Sequence, residues 1–278
     1  MSDSLPLTLA FSPCPNDTFM FHALVTGLVA VDGVRFAPTL LDIEELNARA
    51  LHPTAGFDVT KLSVATFALV RDRYVLLNAG AALGSGNGPL VVRAAARDGL
   101  RDLAALAGRR VAVPGVYTTA ALLLRRYAPP TVCPVPMRFD KIAKAVADGT
   151  VEAGVIIHET RFTYRDAGLV AVADLGECWE AAERIPLPLG VVAARASLGP
   201  ARIAAIERGL RASIERAQRE PQASSDYVRR HAQELSPEVC AQHIALYVNE
   251  YSVSLGERGR AAIAAMLAGD AASERPAG

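Results

Sequence analysis

The sequence predicts an α/β protein built from two lobes. Apolar runs of strand length alternate with helical patterns along most of the chain, as in α/β layers with mainly parallel strands. Two extended apolar runs, at residues 90–93 and 189–193, flank a compact α/β block. With 278 residues, half of them hydrophobic, the chain can bury the core of one large or two medium domains.

Charge and composition narrow the class of partner. The chain has 29 basic and 29 acidic residues and no basic stripe, which argues against nucleic acid or an anionic membrane surface and favours a small molecule. The first residues resemble no export signal, and no apolar run is long enough to span a bilayer, so we expect a cytoplasmic protein without membrane insertion. Its four cysteines are scattered, which indicates neither a zinc cluster nor a disulfide framework.

The first predicted strand, residues 5–11, leads through a proline-rich turn around Cys14 into a helix. Asn16 or Asp17 is a good N-cap for that helix. The free N–H groups and the positive end of the helix dipole favour an anion or a carbonyl group there. Taken alone, a proline-rich turn before a helix is usually only a turn.

The next elements repeat this arrangement. Residues 34–41 predict a strand and residues 43–50 a helix, and residues 58–61 resemble the end of a third strand. The apolar segment 62–70 follows as a helix, with Ser63 as a candidate cap. A polar turn again meets a helix start.

The inserted block has its own elements. They are a strand at 110–113, a turn at 114–117, a helix at 118–126, and a strand at 153–157 that ends at His158. We therefore expect one discontinuous lobe of residues 1–92 plus 193–278 and a second lobe of residues 93–192, with a ligand cleft between them.

The last part of the chain is predicted to be helical. Ile203, Ile206, Leu210 and Ile214 recur at helical spacing before Pro221 ends the run. The segment 236–238 begins another helix with a capping serine and a proline at the first helical position. A final helix near residues 261–267 leads into a tail rich in small residues.

Five stretches follow one another along the chain: Ser-Pro-Cys-Pro-Asn-Asp-Thr-Phe at 12–19, Val-Thr-Lys-Leu-Ser at 59–63, Pro-Gly-Val-Tyr-Thr-Thr-Ala at 114–120, Ile-Ile-His-Glu at 156–159 and Tyr-Val-Asn at 247–249. In sequence and order they resemble the 1,4-dihydroxy-6-naphthoate synthase (MqnD) family. The first stretch is highly specific, and the others are individually modest.

The resemblance implies a type II periplasmic-binding-protein fold. It also implies a cofactor-independent carbon–carbon lyase of the futalosine route to menaquinone, which cleaves cyclic dehypoxanthine futalosine to 1,4-dihydroxy-6-naphthoate and a sugar-derived fragment. Two alternatives are the chorismate dehydratase of the same pathway and a non-catalytic binding protein of the same fold.

His158 is the candidate catalytic residue. It ends an apolar strand, where a side chain can emerge at the carboxyl edge of a parallel sheet. With an ordinary pKa near 6.5, an imidazole can accept and return a proton at neutral pH. The resemblance implies that His158 is the family's proton-accepting histidine. The other four, His22, His52, His231 and His243, are interpreted as helix-face or loop residues.

The resemblance also implies that the segment 61–63 and the start of the helix at 118–119 line the substrate. Two alternatives remain for individual side chains: Lys61 is either a substrate ligand, by side chain or backbone, or a solvated lysine, and Asp17 is either a ligand or only an N-cap. Cys14 is expected to be packed rather than reactive and is given no catalytic role. The predicted substrate-binding residues are Asn16, Asp17, Lys61, Leu62, Ser63, Thr118 and Thr119.

Two apparent motifs are discounted. The glycines at 84, 86 and 88 are followed by a proline and an extended run rather than by a helix, so they do not form a dinucleotide loop. His158 and Glu159 lack the second histidine of a helical zinc motif, because Phe162 occupies that position. We therefore expect no metal site and no cofactor.

Overall fold

The computed structural model describes residues 5–232 and 236–273, with side chains described as far as residue 268. The chain divides into two compact units. The first unit comprises Met1–Gly84 and Pro188–Gly278, and the second comprises Ser85–Leu187. None of the described helices is long and apolar enough to cross a membrane.

The first stretch of the first unit alternates strands and helices. Its strands are β1 (Leu7–Phe11), β2 (Phe36–Leu40), β3 (Val59–Ser63), β4 (Tyr74–Leu76) and β5 (Ala82–Gly84), and its helices are α1 (Pro15–Val25), α2 (Ile43–Leu51) and α3 (Val64–Val70).

The second unit has its own strands and helices. They are β6 (Leu90–Ala94), β7 (Arg110–Val113), α4 (Thr119–Tyr127), β8 (Cys133–Pro136), α5 (Phe139–Ala147), β9 (Ala153–Ile156), α6 (Thr160–Thr163), β10 (Leu169–Asp174) and α7 (Leu175–Glu183).

The chain then returns to the first unit and becomes mostly helical. The elements are β11 (Leu187–Arg195), α8 (Pro200–Arg219), α9 (Ser225–His231), α10 (Pro237–Tyr247), α11 (Glu250–Val253) and α12 (Gly256–Ser273).

The sheet of the first unit has the strand order β2-β1-β3-β11-β4, and β5 pairs with β11. Strand β1 runs parallel to β2 and β3, with Ala10 opposite Thr60. Because β1 and β3 are parallel, the turn after Phe11 and the end of β3 at Ser63 lie at the same edge of the sheet.

The sheet of the second unit has the order β10-β6-β9-β7-β8. Strand β7 runs parallel to β8 and β9, with Ala112 opposite Gly154. The turn from β7 into α4 and the residues after β9 therefore share one edge.

Both sheets are mixed, so the expectation of mainly parallel strands is only half right. Strand β11 is antiparallel to β3 and β4, and β6 is antiparallel to β9 and β10. Two parallel strands need a crossover connection between them within their own unit. Strands β6 and β11 lie instead next to the points where the chain passes from one unit to the other.

Each unit has an apolar core. In the first, Phe11 stacks on Phe21 with ring centroids 4.4 Å apart, and Ile206, Leu210 and Ile214 of α8 are buried against them, as their spacing predicts. In the second, a separate cluster joins the β6–β9 face to α5. These two cores hold the strand ends on which the candidate site residues lie.

Several predicted boundaries differ from the structure. The predicted second lobe, 93–192, begins too late, because β6 pairs with β9 and β10 and lies wholly in the second unit. It also ends too late, because β11 pairs with β3 and β4 of the first unit. Helix α1 begins at Pro15 with Cys14 as its N-cap, so neither Asn16 nor Asp17 caps it. Proline suits the first helical position because it has no N–H to leave unpaired.

The helices after β3 and at the end of the chain also differ from their predicted ranges. Helix α3 begins at Val64 rather than at residue 62, because Leu62 and Ser63 still pair with β11. Helix α12 extends well beyond 261–267 in both directions, while the predicted tail after residue 273 lies outside the described residues.

Candidate functional site

Asp17 and Lys61 form a buried ion pair at the strand-end edge of the first unit. The distance from Lys61 Nζ to Asp17 Oδ1 is 3.1 Å, and the two side chains are only 4% and 2% exposed. Lys61 Nζ also donates to the carbonyl of Gly80 at 2.8 Å. The other carboxylate oxygen, Oδ2, accepts from the backbone N–H of Ser12 at 3.2 Å and from its hydroxyl at 2.8 Å.

Lys61 is therefore not a solvated lysine. Taking two charges out of water costs free energy, and the additional hydrogen bonds offset that cost only because each charged atom has several partners. The pair joins β3 to the turn between β1 and α1, and it fixes both at one edge of the sheet.

A chain of hydrogen bonds extends this network to α10. Asn16 Nδ2 donates to Asp17 Oδ1 at 3.0 Å, and Asn16 Oδ1 lies 2.9 Å from Nε2 of His243. His243 lies on a face of α10, in agreement with its interpretation as a helix-face residue, and it is completely buried, which the sequence did not predict. Its position on the face that carries Tyr247 was the available signal, since a buried imidazole needs a polar partner.

Ser63 ends β3 and is held by Asn47 of α2. The backbone N–H of Ser63 donates to Asn47 Oδ1, and Asn47 Nδ2 donates to the Ser63 hydroxyl, both at 3.0 Å. Since the hydroxyl oxygen accepts this bond, its hydrogen can be donated elsewhere. No local pattern in the sequence indicated a role for Asn47, because its partner is 16 residues away on another element.

Leu62 and Cys14 lie in the same region but are packed into the interior. The side chain of Leu62 is fully buried, so only its backbone remains for a ligand. Cys14 is the N-cap of α1 and is almost fully buried. This position agrees with the expectation that it is packed.

Thr118 and Thr119 begin α4 in the second unit, as predicted. Thr118 is the N-cap: its hydroxyl accepts from the N–H of Ala121 at 3.2 Å and donates to the carbonyl of Gly115 at 2.9 Å. Thr119 is the first helical residue, and both side chains are buried. A helix start of this kind directs backbone N–H groups toward an anion.

His158 follows β9 and has a strained backbone. Its φ is +56°, and apart from Arg184 it is the only non-glycine residue with positive φ in the described parts of the chain. The left-handed conformation costs a non-glycine residue on the order of 1–3 kcal/mol, and such strain is concentrated at functional sites. His158 is partly exposed as a residue, although its Nε2 atom is buried, and its ring meets the ring of Phe139 edge-on, with centroids 5.0 Å apart.

The segment after His158 is fixed by an ion pair. Arg161 Nη2 lies 2.8 Å from Asp174 Oδ2, and the same guanidinium donates to the carbonyl of Gly88. Asp174 Oδ1 in turn caps α7 through the N–H of Gly176 at 2.8 Å. These contacts hold the short helix α6 and therefore the turn at His158 that precedes it.

A cavity of about 540 Å³ lies beside this ion pair. Its walls include Phe162, Tyr164, Arg165 and Glu177, which differ from the predicted site residues. Because the guanidinium of Arg161 at its wall is paired with Asp174, we assign no site to it.

The structure thus groups the predicted residues within each unit. In the first unit, Asn16, Asp17 and Lys61 share one network, and Ser63 lies two residues further along β3. In the second unit, the helix start at Thr118 and the turn at His158 follow neighbouring parallel strands.

A family model described as menaquinone biosynthesis matches residues 7–270 of the chain. Two curated proteins are similar over 94% of this chain, and both are named 1,4-dihydroxy-6-naphthoate synthase. One, from Thermus thermophilus, is 52% identical over 93% of its own length, and the other, from Streptomyces coelicolor, is 46% identical over 91%.

Solved structures support the fold. The crystal structure of protein AF1704 from Archaeoglobus fulgidus has a TM-score of 0.88 and 36% identity, with 98% of each chain covered. The alkanesulfonate-binding protein SsuA from Xanthomonas axonopodis has a TM-score of 0.68 and 15% identity, and the alignment covers 89% of this chain and 86% of SsuA. The chain therefore has a periplasmic-binding-protein-like fold, as predicted.

Proposed function

The chain belongs to the menaquinone biosynthesis family, and on that premise we propose that it is a 1,4-dihydroxy-6-naphthoate synthase acting on cyclic dehypoxanthine futalosine. The main support is the 52% and 46% identity, over 94% of the chain, to two proteins that bear this name. The products would be 1,4-dihydroxy-6-naphthoate and a sugar-derived fragment.

In this proposal His158 is the general base. The reaction breaks a carbon–carbon bond and makes an aromatic ring, so a proton has to be accepted and later returned. An imidazole on a strained strand-end turn suits this task, because the neighbouring residues hold its backbone in one conformation. The contacts of Arg161 with Asp174 and Gly88 also hold the segment that follows this turn.

Other residues would hold the substrate. The Ser63 hydroxyl can donate a hydrogen bond while it accepts one from Asn47. The α4 start would offer a carboxylate the N–H groups of Thr118 and Thr119 and the Thr119 hydroxyl. The side chains of Asn16, Asp17 and Lys61 are engaged with each other, so we propose that they act by fixing the turn and the strand end. Leu62 would contribute through its backbone.

We also propose that catalysis needs neither a metal nor an organic cofactor. The proton transfer assigned to His158 can proceed with an imidazole alone, without a Lewis acid or an electron carrier. Activity should therefore survive exhaustive dialysis against a chelator. Loss of turnover that an added metal restored would contradict this part of the proposal.

The decisive experiment is a comparison of substrates. Purified protein is incubated separately with cyclic dehypoxanthine futalosine and with chorismate, and products are identified by mass spectrometry, with His158→Gln as the matched control. We expect 1,4-dihydroxy-6-naphthoate from the first substrate and no product from the second. Conversion of chorismate would instead indicate a dehydratase, and tight binding without conversion of either would indicate a binding protein.

A further inference from the structure

We propose that His243 is a positioning residue for the substrate-binding end of β3, which it reaches through Asn16, Asp17 and Lys61. This inference rests on the proposed function. It concerns a completely buried histidine on α10, an element outside both strand-end turns. His243 would donate a hydrogen bond from Nε2 and thereby hold Asn16 in the orientation that Asp17 and Lys61 require.

The direction of each hydrogen bond in this network follows from Lys61, which lies at the end opposite His243. Lys61 Nζ can only donate, and the Asp17 carboxylate that faces it at 3.1 Å accepts. Asn16 therefore directs its Nδ2 donor toward Asp17 Oδ1 at 3.0 Å, which leaves its carbonyl oxygen toward His243. Across 2.9 Å from that oxygen, Nε2 of His243 has to carry the hydrogen.

The network matters for Ser63 because Lys61 lies two residues before it on the same strand. Lys61 is confined on its other side by β11, where Gly190 pairs with Ser63. A Cβ at Gly190 would lie 3.3 Å from Lys61 Cε and 3.3 Å from the carbonyl of Leu62, so this position is closely packed. A shift of the ammonium group would therefore be transmitted to the backbone of residues 61–63.

The same network holds the turn after β1. Asp17 accepts both the N–H and the hydroxyl of Ser12, so its orientation determines where the β1–α1 turn lies. Without the donor on His243, the buried Asn16 carbonyl would lose its partner, and the Asn16 side chain would move to find another. Its hydrogen bond to Asp17 would weaken, and both Ser12 and Lys61 would readjust.

Two substitutions separate the hydrogen bond from the volume of the side chain. His243→Gln keeps an amide donor near the position of Nε2, whereas His243→Phe keeps a ring and removes the donor. We expect His243→Phe to raise KM by about five- to tenfold with little change in kcat, and His243→Gln to retain the parent KM within about twofold. His22→Phe, which changes a partly buried histidine on α1, is the matched control and should leave both constants unchanged.

A parental KM in His243→Phe, or equal impairment of the Phe and Gln variants, would overturn the proposal. A purely structural role would lower the melting temperature of both variants without this division between them.

A measurement on the unsubstituted protein keeps the test valid if His243→Phe does not fold. In protein with ¹⁵N-labelled histidine, nitrogen NMR should show His243 protonated at Nε2, with the signal assigned by its loss in His243→Gln. A tautomer protonated only at Nδ1 would overturn the inference. Absence of product from the parent protein would instead contradict the proposed function and leave the NMR result to decide the hydrogen-bond direction.

Discussion

The two units differ at the same structural position, the edge of the sheet where neighbouring parallel strands end. In both, polar residues lie where neighbouring parallel strands end. In the first unit that position is filled by a buried ion pair whose charged atoms are bonded to other protein groups. In the second unit it presents a partly exposed histidine on a strained backbone.

This difference suggests a division of tasks. A network of buried charges and amides resists displacement, because each lost bond leaves a polar group without water. An imidazole, by contrast, ordinarily titrates near neutral pH and therefore suits proton transfer to a ligand. Substitutions in the first unit should therefore affect stability and binding, and substitution of His158 should affect the chemical step.

The largest expected effect is on the chemical step. His158→Gln should lower kcat by about 10²–10⁴-fold with little change in KM, because a positioned general base is worth that much. Arg184→Gln is the matched control, since Arg184 is another non-glycine residue with positive φ and should retain full activity. Near-normal kcat in folded His158→Gln protein would leave His158 as a binding or structural residue.

The pH dependence provides a second test of the same residue. The rate of the parent enzyme should fall as the solution becomes acidic, because a protonated imidazole cannot accept a proton. This acidic limb should vanish from the residual activity of His158→Gln. If the limb persists there, another group is the base.

Lys61→Met should cause the next largest effect, on stability rather than on chemistry. Removing one partner of a buried ion pair leaves the Asp17 charge uncompensated, which typically costs about 3–5 kcal/mol of unfolding free energy. Urea denaturation measures this loss. Lys144→Met breaks an exposed ion pair between Lys144 of α5 and Asp148. This variant should leave the denaturation curve close to that of the parent. Equal curves for the two variants would show that burial of the pair is unimportant.

A smaller effect is expected from the hydroxyls proposed to hold substrate. Ser63→Ala and Thr119→Ala should each raise KM by about fivefold, since a lost hydrogen bond costs on the order of 1 kcal/mol, while kcat is retained. Ser225→Ala removes an exposed serine at the start of α9 and is the control. A fall in kcat with unchanged KM would assign these hydroxyls to the transition state instead.

The smallest effect concerns acid stability and involves neither strand end. Burial, and then the charges of Arg230 and Arg216, lower the pKa of His22 below 6.5. Burial and Arg230 also lower the pKa of His231, and the ring of Tyr227 contacts both imidazoles. The folded state therefore favours neutral histidines.

This stabilisation is fully present above about pH 6.5 and is lost as the pH falls toward the folded-state pKa values. The double variant His22→Asn/His231→Asn should therefore show a flatter dependence of the urea midpoint on pH between about 7.5 and 5.5. An unchanged slope would contradict the assignment. The measurement also shows how much of any acidic loss of activity is loss of folded protein.

Local patterns predicted most of the elements that support the site. The apolar runs before Ser12 and around residues 110–113 predicted β1 and β7, and the serine and proline at 236–237 predicted the start of α10. Each of these features depends on neighbours within a few residues, which a single sequence displays directly.

The features of the site that were not predicted depend on contacts between residues far apart in the sequence. His243 meets Asn16 across 227 positions of sequence, and Ser63 meets Asn47 across 16, so no local pattern could show either contact. The positive φ of His158 was also not predicted, because only tertiary contacts such as those of Arg161 hold a non-glycine residue there.

The position of β11 has a consequence for the order in which the two units can fold during synthesis. This strand lies between β3 and β4 in the first sheet, yet it follows the whole second unit in sequence. On a ribosome adding about 5–20 residues per second, the first sheet must wait on the order of 5–20 s for its inner strand. The second unit, although it lies in the middle of the chain, is therefore the first to have all its strands available for folding.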